Sequence, residues 1–143
     1  RLLGYVAQEV AIDKILTGRE LLQLQGDLYH LPGHQRNRRI AELIELMGMG
    51  DWIDRRCGSY SGGMRRKLEI ARSLLHKPQV LFLDEPTVGL DPESRRSVAG
   101  YLDAIRRSEG TTMVLTTHYL DEAERCHAVG NYEPCGPRSA GSS

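Results

Sequence analysis

The sequence has no apolar run near the roughly 20 residues needed to span a bilayer, so membrane association would have to come through a partner. It also lacks an excess of either charge. Nineteen basic side chains balance nineteen acidic ones, and no overall field favours nucleic acid or an anionic lipid surface. Cysteine is sparse. Cys57, Cys126 and Cys135 are odd in number and share no paired spacing. That argues against a disulfide framework or a thiolate metal site and for a reducing, cytoplasmic setting. An initiating Met is missing too. Arg1, Leu2, Leu3, Gly4, Tyr5 and Val6 already read like the inside of a strand. The expectation is a sequence that starts within a domain, with no signal peptide to be read from it.

What is present suits one domain. At 143 residues the chain can bury one real core but not two. Residues 2–7 read as a short strand leading to Gln8. From Thr17 the pattern turns helical: Leu21, Leu24, Leu28 and Leu31 recur at spacings of three and four until Pro32 and Gly33 close the segment. A second helix is expected over residues 35–47, with Ile40, Leu43, Ile44 and Met47 as its apolar stripe. Arg36, Arg38 and Arg39 would be its solvated face, and with no net charge they make no case for nucleic acid. A loop at 58–63 feeds a third helix. There Met64, Leu68, Ala71 and Leu75 share one face, and Arg65, Arg66, Lys67 and Arg72 share much of the other.

Beyond Pro78 the character changes. Val80, Leu81, Phe82 and Leu83 form a continuous apolar run, as expected for a parallel strand covered on both faces. Asp91 offers a helix N-cap and Pro92 the first helical position. Val98, Leu102 and Ile105 give that helix its buried stripe, and Gly110 ends it. Residues 112–116 read as a second buried strand, and a last helix begins near Tyr119. Helices alternating with strands predict an α/β layer around a parallel sheet, with the earlier helical stretch inserted beside it. From residue 127 to 143, Gly, Pro and Ser prevail without a usable period, and this tail is expected to be disordered or poorly packed.

Chemistry concentrates at a few points. Asp84 and Glu85 directly follow the apolar strand, and the carboxyl edge of a parallel sheet is where open α/β folds place ligands. One carboxylate there can hold Mg²⁺, which accepts few protein ligands. Its neighbour can orient and deprotonate an attacking water. The bland alternative is a solvated acidic pair that starts a turn. Tyr60, Ser61, Gly62, Gly63 and Met64 open a helix. Two glycines let backbone amides approach an anion, and the helix N-terminus adds partial positive charge; helix capping by Ser61 is the simpler reading. His118 after the second strand can hydrogen-bond a terminal phosphate, although a lone histidine is more often structural. Gln8 after the first strand carries little weight by itself.

Taken in order, these pieces resemble the ABC-type ATPases. Tyr5, Val6, Ala7 and Gln8 are similar to the family's Q-loop. Tyr60, Ser61, Gly62, Gly63 and Met64 resemble its signature motif, with the Leu and Gln of the commonest form replaced by Tyr60 and Met64. Residues 80–87 resemble Walker B; Gly89, Leu90, Asp91 and Pro92 resemble the D-loop; Thr117 and His118 resemble the switch histidine. The resemblance spans roughly residues 1–126. The signature form, with Thr17, Gly18, Arg19 and Glu20 upstream, is most similar to the exporter branch related to drug-resistance ATPases.

The resemblance implies an α/β, P-loop NTPase-like parallel sheet core with an inserted α-helical subdomain at 9–76 and part of the core at 77–126. Two such domains pair head to tail around ATP. Gln8 and Asp84 would hold Mg²⁺, and Gln8 would sense the γ-phosphate. Glu85 would be the general base, and His118 would contact the γ-phosphate. Ser61, Gly62 and Gly63 would reach the nucleotide bound on the partner, and Asp91 would communicate across the dimer. A transmembrane permease subunit would hold the protein at the cytoplasmic face of the membrane, and its transport would be powered by ATP. The alternatives are a soluble ABC ATPase acting on ribosomes or DNA, or a non-catalytic fragment. A long coiled coil between Gln8 and Ser61, as in chromosome-type members, is absent.

Two departures stand out. The glycine-rich Walker A loop ending in Lys-Ser or Lys-Thr, which should precede Gln8, is missing, as is the aromatic residue that stacks on adenine. In relatives the helix after the switch histidine leads to a further strand; here the pattern slides into Asn131, Tyr132, Glu133 and Pro134, and a frameshift, truncation or sequencing boundary near Arg125 is expected. Without the loop's amides and lysine on the phosphates, the 143-residue chain alone is expected neither to bind ATP tightly nor to hydrolyse it. Calorimetric titration with ATP checks this; a micromolar dissociation constant that disappears in Asp84→Asn would overturn it.

Overall fold

The computed structural model describes residues 3–7, 13–117 and 119. The element order is β1 (Leu3–Val6), α1 (Gly18–Leu28), α2 (Gly33–Leu46), a single 3-10 turn (Cys57–Ser59), α3 (Gly62–Leu74), β2 (Val80–Asp84), α4 (Pro92–Glu109) and β3 (Thr112–Thr116). The strands form one three-stranded parallel sheet in the order β1-β2-β3. This is the α/β class that the alternation of elements predicts. Parallel neighbours need a crossover, and α4 supplies the one between β2 and β3. Asp91 caps α4 through the Ser94 amide at 3.1 Å, Pro92 sits where its missing N–H costs nothing, and Gly110 ends the helix.

The sheet is covered on one face only among the described residues. Val6, Leu81 and Leu83 are buried with the helices' apolar side chains in one core. Alternation along the strands sends Leu3, Tyr5, Phe82 and Val114 to the opposite face, where they are 62%, 64%, 39% and 45% exposed. The expectation that β2 is covered on both faces, and β3 buried, is corrected on this point. Continuous apolar sequence gives β2 two faces to bury, but no described residue closes over the second.

The helical stripes also shift. In α1 the buried positions are Gly18, Leu21, Leu22 and Gly26, while Leu24 and Leu28 face outward. The Arg36 stem lies against Gly26, so α2 meets α1 along a line one residue away from the leucine spacing. The arginines read as solvated faces divide. Arg36 and Arg38 are not buried, but Arg39 is only 5% exposed. Its Nη2 donates to the Leu74 carbonyl at 2.7 Å and to Glu109 Oε2 at 2.8 Å, while Nη1 reaches Glu109 Oε1. A carbonyl at the end of α3 lacks the usual i+4 partner; Arg39 and the Lys77 amide at 3.1 Å both donate to it, and Arg39 thereby ties three helices together. Arg66 is buried as well, against the expectation of a polar face for α3.

Removing Arg39 would leave the half-buried Glu109 carboxylate without its cation, while the Leu74 carbonyl would keep only the Lys77 amide at 3.1 Å. Arg39→Ala is expected to cost about 3 kcal/mol, at the lower end for breaking a buried ion pair, whereas Arg38→Ala should cost under about 0.5 kcal/mol. Urea unfolding of the two variants measures the difference.

Candidate functional site

The acidic pair lies where two strands end together. Asp84 is the last residue of β2 and stands opposite Thr116, the last residue of β3. Thr116 Oγ1 donates to Asp84 Oδ1 at 2.8 Å. The chain then turns sharply: Glu85 has φ 43°, a left-handed conformation that a side chain disfavours. Its amide is held from one residue, donating to the Thr116 carbonyl at 3.0 Å and to Thr116 Oγ1 at 3.0 Å. Buried Thr87 and the turn contacts from the Val88 amide to the Glu85 carbonyl and from the Leu90 amide to the Thr87 carbonyl carry the chain on to Asp91. The Ser94 hydroxyl and amide hold the Asp91 carboxyl below the usual carboxylate range.

The glycine-rich loop is built separately and meets this turn. Ser61 Oγ accepts from the Met64 amide at 3.2 Å, and Met64 Sδ accepts from the Ser61 amide at 3.4 Å. The thioether, a weak acceptor, thus completes a capping box that a glutamine would ordinarily close. Tyr60 before it is buried. Its hydroxyl donates to the Ile53 carbonyl at 3.1 Å and accepts from the Gly18 amide at 3.1 Å, with Trp52 edge-on at 4.8 Å. The two signature positions that depart from the commonest form are therefore both engaged. Gly63 abuts the first turn of α4: a Cβ there would lie 3.0 Å from Ser94 Oγ and 3.1 Å from its Cβ. Ser61, Gly62 and Gly63 are thereby seated beside the turn that carries Asp91.

Gln8 and His118 lie outside the described residues. Ala7, just before Gln8, accepts from Arg66 Nη1 at 2.5 Å, which ties α3 to the end of β1. Thr116, Ser94 and Arg66 were missed as site residues from the sequence. Thr116 had a signal, a hydroxyl at the last position of an apolar strand; Ser94 and Arg66 looked like ordinary helix surface. A cleft of about 860 Å³ lies elsewhere, lined by Arg39, Glu42, Lys77, Gln79 and Thr111 ahead of β2 and β3. It contains none of the acidic pair or the glycine-rich loop.

Among the described residues no cluster of three or more His, Cys, Asp or Glu could enclose a metal. Asp84 accepts from Thr116 through Oδ1, and no described residue donates to Oδ2. A hard carboxylate oxygen at a sheet edge fits Mg²⁺, which keeps waters and phosphate oxygens for most of its ligands.

Burial pushes the Tyr60 phenol up to about 12. A raised folded value means stability that is complete below the unfolded pKa of about 10 and is lost as pH rises towards 12. Tyr60→Phe is expected to cost about 1–2 kcal/mol at neutral pH by stranding the Gly18 amide, while the Ile53 carbonyl keeps the Arg19 amide. Unfolding at pH 7 to 12 should show the parent losing more stability than the variant at the alkaline end.

Comparison with known proteins follows the same motifs. Residues 1–88 match the ABC transporter family. The daunorubicin resistance ATP-binding protein DrrA2 of Streptomyces coeruleorubidus is 48% identical over 86% of this chain and 38% of its own length. The daunorubicin/doxorubicin resistance ATP-binding protein DrrA of Streptomyces peucetius is 46% identical over 87% of this chain and 38% of its own. The linearmycin resistance ATP-binding protein LnrL of Bacillus subtilis is 36% identical over 90% and 41%. This chain spans about two fifths of the length of these relatives. With its motifs in the family's order and more than half of its residues matched, the chain belongs to the ABC transporter ATP-binding family.

Proposed function

We propose that the protein carrying this chain hydrolyses ATP to power an exporter, as the ATP-binding subunit beside a transmembrane permease at the cytoplasmic face of the membrane. The observation that carries the reading is the acidic pair at the carboxyl ends of β2 and β3, with Asp84 and the Glu85 amide fixed by Thr116. The drug-resistance relatives support an exporter over a soluble ATPase acting on ribosomes or DNA. No helix among the described residues is long and apolar enough to cross a membrane, and this reading assigns the path for cargo to the permease.

In this reading residues 9–76 form the helical subdomain and 77–126 part of the catalytic core. Mg²⁺, when bound, offsets the negative charge of the phosphates. Asp84 and Gln8 would hold it. Glu85 accepts the proton of the attacking water, and His118 donates a hydrogen bond to the γ-phosphate. Phosphoryl transfer depends on positioning and charge more than on covalent chemistry by the protein, which is why the acidic residues stand on a strand end. Ser61, Gly62 and Gly63 present the amino end of α3 to ATP held by a second ATPase domain, in a head-to-tail dimer. Asp91, beside them, relays the state of one site to the other.

Glu85→Gln keeps the shape and removes the base. In the complete gene product assembled with its permease, turnover is expected to fall at least about 100-fold while ATP still binds. Phosphate release and nucleotide binding, measured on the same preparation, decide it. Turnover near the parent's would remove the catalytic assignment.

A further inference from the structure

We infer that Thr116 is a positioning residue for both carboxylates, and that its single hydroxyl couples the orientation of Asp84 to the backbone of Glu85. The inference rests on the ATPase reading above and goes beyond it, since Thr116 belongs to none of the motifs that carry that reading. A threonine hydroxyl has one proton to give and two lone pairs to offer. Here the proton goes to Asp84 Oδ1 at 2.8 Å, and a lone pair takes the Glu85 amide at 3.0 Å, an amide shared with the Thr116 carbonyl at 3.0 Å. One oxygen atom therefore holds two neighbouring acids by different handles, the side chain of one and the main chain of the other.

Each handle has a separate consequence. Binding Oδ1 fixes the Asp84 carboxylate and leaves Oδ2 as the oxygen that no described residue occupies. Holding the Glu85 amide retains a left-handed residue, φ 43°, whose side chain would otherwise favour another backbone conformation. The platform is rigid, because Thr116 is paired with Asp84 at the end of a ladder running from Val80 opposite Thr112. The same residue leads through Thr117 to His118, so the strand end that positions the acids also starts the segment bearing the third catalytic candidate. A shift of Asp84 towards a cation would be felt at Glu85 through that hydroxyl. Groups that orient a metal-holding carboxylate commonly account for 10–100-fold in activity.

Thr116→Val removes the hydroxyl while keeping the branched shape that suits a strand, and Thr116→Ser keeps the hydroxyl alone. The first readout needs neither nucleotide nor metal. In the 143-residue chain the Thr116 carbonyl still accepts from the Glu85 amide in every variant, so exchange at Glu85 should quicken only about two- to threefold in Thr116→Val and stay near the parent's rate in Thr116→Ser. The second readout is kinetic, in the complete gene product with its permease. There Thr116→Val should lower kcat by about 10–100-fold with KM for ATP within about twofold, and Thr116→Ser should recover kcat to within about threefold. Parent-like kcat in Thr116→Val, alongside a Glu85→Gln variant that is inactive, would overturn the role of Thr116 and leave the ATPase reading standing. Equal impairment in the serine variant would overturn it as well, by assigning the effect to shape. Were Glu85→Gln to retain turnover, the assignment of Glu85 as base would fall, and exchange at Glu85 would decide the tether by itself.

Discussion

The register between β2 and β3 is the constraint on which the candidate site depends. Asp84 meets Thr116 because Val80 pairs with Thr112 and each later residue keeps step. A slip by one position would send every side chain of one strand to the opposite face, separating the carboxylate from the hydroxyl that fixes it. Leu81 and Leu83 resist such a slip, since their place in the core would pass to Phe82 and Asp84. Burial on one face thus specifies polar geometry at the strand ends. The hydrophobic pattern and the acidic pair are two ends of one argument.

A second layer of specification comes from arginines inside the helical part. Arg39 links the end of α3 to Glu109 at the end of α4, and Arg66 links the start of α3 to the end of β1. For Arg66 desolvation is the leading effect and lowers the guanidinium's pKa. A buried cation is weak support for stability compared with an apolar side chain of the same volume. What it adds is direction, because a planar guanidinium satisfies its acceptors only from a narrow set of angles. The pose of α3, and with it the glycine-rich loop at its head, is set from both ends by side chains that the sequence pattern assigned to water.

Elements with a strong local signal were legible in the sequence. Asp91 with Pro92, the stripe of Val98, Leu102 and Ile105, and the apolar run of β2 all fall where their patterns place them. The acidic pair was legible because a strand end constrains its position. Long-range partners were not. Arg39 and Arg38 are neighbours on a helix with similar local sequence, and only the approach of Leu74 and Glu109 distinguishes the buried one. Leu24 and Leu28 keep a helical spacing, yet they lie off the seam because α2 crosses α1 at Gly26. Thr116 was read as part of a strand, since its partners are 32 and 31 residues away along the chain. Met64 could be placed as a departure from the usual motif, but that its sulfur would still close the cap depended on a rotamer.

The phenol of Tyr60 has a consequence for how this sequence can drift. A Cβ on residue 18 would fall 2.5 Å from that oxygen, so Gly18 and Tyr60 occupy one volume between them. Position 18 cannot gain a side chain while that tyrosine stands. Shortening the aromatic residue to leucine would remove the acceptor that the amide there now uses, while Ile53 Cδ1 at 2.8 Å and the Ile53 carbonyl at 3.2 Å would still crowd a side chain at position 18. A tyrosine in the signature motif is thus expected to travel with a glycine forty-two residues before it.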